Sequence, residues 1–316
     1  MLRIVAFGLT LALFGMGCVD EVAAPRGVEE PFSIYGILNP RLVTQSMLVA
    51  PPSRFFEDYP EAIDAVVTTT NLETGEWITW KDSVVTGDRG QRDHVFVGRF
   101  RPEFGSRHSV LVTRSDGAVS TAEVKVPGRV SLELDDDGTR YFAGRVLGET
   151  FRLHRAEIVY GVRFYKVGMP PDTLCAQPLE HYSFPLTVSE MNEGDYWQLE
   201  TNMHEDWDYA RSYYFEDHGW RAEDLFFEGL ALMDMGMEVT VGDESWNPPG
   251  GTFDQHVLSS PRALTNVENG FGFIGAGYNQ DFSVWPSKES VKDAWFFDFL
   301  MRPPGDCLDF CSCGRN

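Results

Sequence analysis

The chain has few basic residues, few cysteines and few long apolar runs for its length. Lys and Arg number 26 against 48 Asp and Glu, which gives the 316 residues a formal net charge of −22 at pH 7. A surface of that sign repels nucleic acid and anionic lipid headgroups, so we expect neither as a partner. No run of about 18 apolar residues follows the N-terminal segment, so no transmembrane helix is predicted there.

Sequence motifs of common enzymes and metal sites are also absent. The sequence has no Gly-x-Ser-x-Gly nucleophile elbow and no His-Glu-x-x-His zinc motif. A Gly-x-Gly-x-x-Gly match at 270–275 alternates with aromatic residues and leads into no helix start, so it predicts a Gly-rich strand. The acidic run at 135–138 lacks calcium-loop spacing and predicts a turn. We therefore expect no enzyme, and assign no catalytic residue, cofactor or metal.

The N-terminal residues have the pattern of a bacterial lipoprotein signal. Arg3 supplies a positive charge, and the apolar stretch after it is too short to span a bilayer. Gly15 and Gly17 then precede Cys18, in an arrangement that resembles a lipobox, where a diacylglycerol thioether forms on the cysteine before cleavage. We expect 1–17 to be a signal peptide and Cys18 to anchor the chain in the lipid bilayer. An ordinary cleaved signal, with Cys18 as a free thiol, is the alternative.

Four further cysteines suit an oxidising envelope: Cys175, Cys307, Cys311 and Cys313. Four thiols in an exported chain most often form two disulfides, with three possible connectivities. Cys311 and Cys313 are two positions apart, and a bond between them would strain the small ring, so we expect different partners for each. One tail cysteine then bonds to Cys175, a loop closure worth about 4–5 kcal/mol. A zinc site of tail thiolates is the alternative, although zinc knuckles have two residues between paired cysteines.

Strand and turn signals recur about every ten residues in the first half of the chain. Residues 32–37 alternate between apolar and polar or small types, as a strand does. The segment 66–80 holds two strand-like runs around the turn residues 73–76, and 110–126 repeats this scheme around 115–117. This spacing favours a β-sandwich of roughly a hundred residues, without the disulfide of antibody domains.

The Pro127-Gly128 pair predicts a domain boundary, and strand signals continue beyond it. We therefore predict a mainly β fold in which an immunoglobulin-like β-sandwich is followed by a second β-rich domain with a short helix near 202–217. The expected division is a signal peptide at 1–17, a flexible tether at 18–30, the sandwich at 31–127, the β-rich domain at 128–302 and a cysteine-containing tail at 303–316.

Aromatic and acidic residues are concentrated between 197 and 220. Rings beside carboxylates are typical of sugar-binding sites and of protein-binding hot spots, whereas packing in a β-rich core is the structural alternative. In a helix, His204 and Asp208 share a face and have the spacing for a divalent metal, but a solvated acidic face is favoured at this net charge. The candidate ligand-binding residues are Trp207, Tyr209, Tyr213 and Trp220.

Two stretches resemble a known family of envelope lipoproteins. One is the β-rich first half, with 65–70 before a Thr-Gly hairpin and 114–117 leading to Pro127, and the other is 264–276, which contains Asn-Val-Glu-Asn-Gly. With the lipobox and the cysteine tail, they resemble a domain-of-unknown-function family of diderm lipoproteins often encoded beside TonB-dependent outer-membrane receptors. The resemblance implies an envelope location, an immunoglobulin-like first half and a receptor partner, and it transfers no catalytic residues.

These features lead to one expected function and two alternatives. Val19, rather than Asp, follows Cys18, which is similar to lipoproteins sent on to the outer membrane. We expect an outer-membrane lipoprotein, on the periplasmic or the cell-surface face, that binds another protein or a nutrient ligand beside a transporter. The alternatives are a carbohydrate-binding or carbohydrate-degrading surface protein and a structural or adhesion protein.

Replacing Cys18 with serine tests the lipid anchor. Serine has no thiol for the diacylglycerol thioether, so Cys18→Ser should move from the detergent phase to the aqueous phase after phase partition of whole membranes. Cys175→Ser is the matched control and should stay in the detergent phase. A Cys18→Ser protein that partitions into detergent would contradict the expected anchor.

Overall fold

A computed structural model describes residues 31–51, 63–86, 92–149, 152–166, 176–191, 196–217, 228–245 and 265–294. These residues form sixteen strands and two helices, so the predicted mainly β fold is confirmed. Neither of these two helices is long and apolar enough to cross a membrane. Predicted features outside the described residues are the signal peptide 1–17, Cys18, the tether as far as residue 30, Cys175, Trp220, Cys307, Cys311 and Cys313.

The strands fall into two groups on either side of the predicted boundary. The first group is β1 (Phe32–Leu38), β2 (Thr44–Ala50), β3 (Val66–Asn71), β4 (Trp77–Thr79), β5 (Lys81–Thr86), β6 (Arg92–Arg99), β7 (Arg107–Thr113) and β8 (Val119–Lys125). The second is β9 (Ser131–Asp135), β10 (Tyr141–Leu147), β11 (Arg152–Lys166), β12 (Glu180–Pro185), β13 (Thr187–Met191), β14 (Tyr196–Asn202), β15 (Glu228–Gly242) and β16 (Gly270–Ser283). The helices are α1 (Met203–Asp217) and α2 (Lys288–Asp293).

Three sheets organise these strands. One eight-stranded sheet has the order β12-β11-β15-β16-β1-β2-β6-β5, so it includes strands from both groups. Two four-stranded sheets have the orders β4-β3-β7-β8 and β13-β14-β10-β9. Neighbouring strands in these sheets are antiparallel except β1 and β16, which pair in parallel from Phe32 opposite Gly270 to Leu38 opposite Ala276.

The first core lies between β4-β3-β7-β8 and the adjoining part of the large sheet. Alternate residues of each strand point into it, because side chains on a strand alternate between its two faces. Trp80 is buried and donates its indole N–H to Thr69 Oγ1 at 2.8 Å, which satisfies the ring nitrogen inside the core. Buried contributors to this core include Phe32, Ile34, Leu38, Met47, Val49, Val67, Trp80, Phe96, Val110 and Val112. Each such side chain contributes about 1.5–3 kcal/mol by burial.

The second core lies between β13-β14-β10-β9 and the β11-β15-β16 part of the large sheet. α1 packs against β10, β14 and β15. Ser287 is the N-cap of α2, and its side chain accepts from Ser290 N at 3.1 Å. Asp136 accepts hydrogen bonds from the hydroxyls of Ser287 and Ser290, and Gly138 in the same turn has φ +80°. The predicted turn is therefore confirmed, and its acidic residue positions the helix cap.

Strand β16 belongs to both cores. Its first half pairs with β1 and places Ile274 and Ala276 in the first core. Its second half pairs with β15 and places Tyr278 in the second core, where the phenol donates to Gly128 O at 2.7 Å. The segment leading into β16, which the sequence analysis assigned to the second domain, also packs in the first core through Val267. One strand therefore joins the two sandwiches.

The Asn-Val-Glu-Asn-Gly stretch has a structural explanation at the start of this strand. The Asn266 side chain accepts from Ile274 N at 2.9 Å and donates to Ile274 O at 2.6 Å, so it replaces a neighbouring strand there. The predicted Gly-rich strand at 270–275 is confirmed as the first half of β16. Gly272 has φ +100°, and a Cβ on it would lie 2.0 Å from Ile34 O, so only glycine permits the parallel pairing with β1.

Replacing Gly272 with alanine tests the importance of this pairing. The new Cβ collides with the backbone of β1 at a φ that L side chains rarely adopt, so unfolding in urea should show a loss of about 3 kcal/mol or more. Gly75→Ala is the matched control: Gly75 has φ +74°, but nothing lies within 4 Å of an added Cβ. That variant should lose only about 1–2 kcal/mol. Equal losses in the two variants would contradict this account of β16.

Candidate functional site

Helix α1 forms where the sequence analysis predicts a short helix. The segment contains neither Gly nor Pro, and Asn202 precedes it as a capping residue. Asn202 Oδ1 accepts from His204 N at 3.2 Å, and its amide donates to Glu205 Oε1 at 2.7 Å. Glu205 and Asp206 lie in the first turn, where negative charge interacts favourably with the helix dipole. These local contacts fix where the helix begins.

One face of α1 is part of the second core. Met203, Trp207 and Ala210 are buried, and their spacing places them on one side of the helix. Trp207 is only 4% exposed, the His204 ring stacks on it with centroids 6.3 Å apart, and the Arg211 guanidinium lies 4.9 Å from its centroid. The expectation that Trp207 contacts a ligand is therefore wrong. Its position on the helix makes it a core residue.

Another face of α1 exposes two aromatic rings. Tyr209 is 60% exposed and Tyr213 50% exposed, and their ring centroids are 5.6 Å apart with planes inclined by 32°. Phe184 of β12 meets Tyr209 edge-on at 5.7 Å and 87°, and Phe184 in turn contacts the buried Tyr160 at 5.8 Å. We call the two exposed rings the tyrosine pair. A row of ring contacts connects it to the core.

The tyrosine pair lies in an acidic surface. Glu205, Asp208, Glu216 and Asp217 are exposed on the same helix. His204 Nε2 lies 3.7 Å from Asp208 Oδ2, one helical turn away, so these residues share a face of the helix as expected. Across the described ranges no three His, Cys, Asp or Glu side chains gather closely enough to hold a metal ion. The surface favours a partner that carries positive charge.

Asp206 connects helix α1 by hydrogen bonds to β11 of the eight-stranded sheet and to β14 of the β13-β14-β10-β9 sheet. Its Oδ2 accepts from Tyr160 Oη of β11 at 2.7 Å and from Thr201 Oγ1 of β14 at 2.8 Å. Burial raises the pKa of Asp206, and the hydrogen bonds from Tyr160 and Thr201 offset this only in part. Burial also raises the pKa of Tyr160 well above its usual value, and the nearby Asp206 adds to the effect. The phenol is therefore a stable donor to the carboxylate.

Two exposed rings lie elsewhere on the described surface and were not predicted from the sequence as candidate binding residues. Trp77 of β4 is 68% exposed, and Tyr141 of β10 is 58% exposed. The alternation of side chains between the two faces of a strand could have identified Trp77 as exposed. Trp77 and Thr79 face outward, while Ile78 between them is partly buried. The structure places Trp77 on the outer side of the first sandwich, in a different sheet from the strands that carry α1.

No family model and no curated protein matches the chain. Among solved structures, the chain is similar to a crystal structure of pullulanase complexed with maltotriose from Anoxybacillus sp. LM18-11, with 9% identity and a TM-score of 0.20. The match covers 66% of this chain and 24% of the pullulanase chain, so this chain spans about a quarter of that protein. A similarity this low does not bear on activity.

Replacing Asp206 with asparagine tests the buried carboxylate. The folded protein keeps the carboxyl proton of Asp206 to a higher pH than the unfolded chain does, because the pKa of Asp206 is raised by folding. Asp206 therefore adds to the free energy of unfolding below a pH of about 4, and this contribution is lost as pH rises through the folded-state pKa. Asparagine stays neutral and still accepts both hydrogen bonds, so Asp206→Asn should lack this decline when urea unfolding is measured from pH 4 to pH 8.

Tyr160→Phe provides a second variant with the opposite expected effect. It removes a hydrogen bond that lowers the pKa of Asp206, so the decline with pH should become larger than in the wild type. If the wild type and both variants show the same dependence of unfolding free energy on pH, Asp206 does not titrate as described.

Proposed function

We propose that this chain is an exported lipoprotein, anchored in the outer membrane through Cys18, that acts as a non-enzymatic binding protein for an outer-membrane receptor or transporter. The tyrosine pair is the observation that supports this proposal best. Tyr209 and Tyr213 present two large rings to solvent from a helix whose other face is fixed in the core. Exposed aromatic residues on a rigid base are typical of protein-binding hot spots.

The ring geometry favours a protein partner over a sugar chain at this helix. A flat row of coplanar rings suits stacking of successive sugar rings. Here the planes of Tyr209 and Tyr213 differ by 32°, and Phe184 stands at 87° to Tyr209. Inclined rings instead form ridges that fit into pockets between side chains of another protein.

The support beneath the pair favours tight binding. Phe184 contacts Tyr209 and is itself in contact with the buried Tyr160, and Asp206 joins the helix to both sheets. Side chains that are already ordered lose less conformational entropy when a complex forms. The binding surface is therefore available without rearrangement of the fold.

The negative charge around the tyrosine pair and the lipid anchor on Cys18 both influence which partner the protein binds. The exposed carboxylates around the tyrosine pair attract a basic surface and increase the association rate with it. Lipid on Cys18 keeps the protein at the membrane, where its effective concentration for a membrane receptor is high. We expect the receptor to contribute Arg or Lys beside a pocket for an aromatic ring.

Affinity purification tests the proposal. The lipidated wild type is isolated from gently solubilised native membranes and the co-purified proteins are identified and quantified by mass spectrometry; we expect stoichiometric recovery of one β-barrel receptor. The double variant Tyr209→Ser/Tyr213→Ser should reduce this recovery at least about tenfold, because two hot-spot rings are worth about 2–4 kcal/mol.

Trp77→Ser is the matched control, because it removes an exposed ring from a different sheet and should leave recovery unchanged. Recovery of the lipoprotein alone would contradict the receptor partnership. Equal recovery with the double variant and the wild type would show that the tyrosine pair is not the contact.

A further inference from the structure

The outer face of the β13-β14-β10-β9 sheet carries a depression of about 260 Å³. It is lined by Asp135, Ala143, Gly144, Arg145, Tyr196 and Gln198. The small side chain of Ala143 leaves this space, because the outward-facing residues before and after it on β10 are the larger Tyr141 and Arg145. The depression therefore results from the order of small and large residues along β10, and its shape depends on the sheet rather than on a loop.

Sheet register surrounds Ala143 with polar groups. Ala143 lies opposite Asp135 on β9 and opposite Glu200 on β14. Arg145, the next outward residue, lies opposite Glu133 and Gln198. Directly opposed residues have Cβ atoms about 5 Å apart, so these groups form a ring of donors and acceptors around one small residue.

The hydrogen-bonding capacity of this ring is only partly used. Arg145 Nη2 lies 3.4 Å from Glu133 Oε2, and the Gln198 amide donates to Glu200 Oε1 at 2.7 Å. Among the residues that the structure describes, the Asp135 carboxylate forms no hydrogen bond and no ion pair. Arg145 has five N–H donors in all, and the Gln198 amide oxygen is an acceptor, so a ligand meets both kinds of group.

An aromatic ring forms one wall of the depression. Tyr196 of β14 is the diagonal neighbour of Arg145 on β10, and the guanidinium carbon of Arg145 lies over the tyrosine ring, 6.0 Å from its centroid. A tyrosine face beside groups that exchange hydrogen bonds matches a sugar ring, which has an apolar C–H face and a rim of hydroxyl groups.

We propose that this depression binds one sugar unit of an uncharged glycan. Two neighbouring hydroxyls donate to Asp135 and accept from Arg145, while the C–H face of the sugar packs against the part of the Tyr196 ring that the Arg145 guanidinium leaves uncovered. Glu133, Asp135 and Glu200 outnumber Arg145 here, and the whole chain carries −22, so acidic glycans are repelled. The volume is slightly below the range of drug-sized pockets, about 300–1,000 Å³, which suits a single sugar unit.

This inference does not depend on the proposed receptor partnership. The depression is on the outer face of one sheet, and the tyrosine pair is on α1, whose buried face packs in the core behind that sheet. Variants at one surface therefore leave the side chains of the other in place, and the two proposals fail separately.

Glycan binding by the intact lipidated protein in detergent micelles tests the inference. Surfaces carrying β-glucan, xylan or mannan oligosaccharides, and oligogalacturonate as the acidic probe, are compared in a biosensor. We expect at least one uncharged class to bind and the acidic class not to bind. Ala143→Leu fills the depression and removes no polar group, so it should lower affinity at least about tenfold.

Ser131→Leu adds a leucine to the exposed side of β9 in the same sheet, outside the depression, and should keep the wild-type affinity. The inference is overturned if no uncharged oligosaccharide binds, if only oligogalacturonate binds, or if Ala143→Leu binds as the wild type does. It is also overturned if both leucine variants lose affinity equally, or if Trp77→Ser alone abolishes binding.

Discussion

The parallel pairing of β1 with β16 is the interaction on which the rest of the structure depends. It joins two strands that are more than 200 residues apart in sequence, and it makes one eight-stranded sheet of what are otherwise two halves. Gly272 permits this contact because its backbone lies directly against Ile34 O. Such long-range pairing closes large loops of chain, so it costs entropy that burial in both cores must offset.

The position of the tyrosine pair follows from this arrangement. The β11-β15-β16 part of the large sheet supports the second core, and α1 is fixed to that core by Met203, Trp207 and Asp206. The tyrosine pair is then exposed as a consequence of the helix period. The depression at Ala143 instead depends on strand register, which decides which side chains stand next to a small residue. We propose a protein partner for the first surface and a small, uncharged, hydroxyl-rich ligand for the second.

Local features of the fold could be predicted from the sequence, and long-range ones could not. Alternation predicted strands such as β7, and the turn before Gly117, which has φ +88°, was expected from Ser-Asp-Gly. The role of Trp207 was missed because counting rings ignores which helix face each ring occupies. The membership of β16 in the first core was missed because its partner β1 lies at the other end of the described chain. Register between distant strands leaves no signal in a single sequence.

Hydrogen exchange followed by mass spectrometry on the intact protein tests most directly whether β16 unites the two sandwiches. If it does, amides of β1, β15 and β16 should exchange only by the same global opening, with equal free energies and equal response to low concentrations of urea. Peptides from the first and the second core should then lose protection together. Exchange of β10 and β11 at a clearly lower free energy than β2 and β7 would show two independent units and contradict the central role of the β1–β16 pairing.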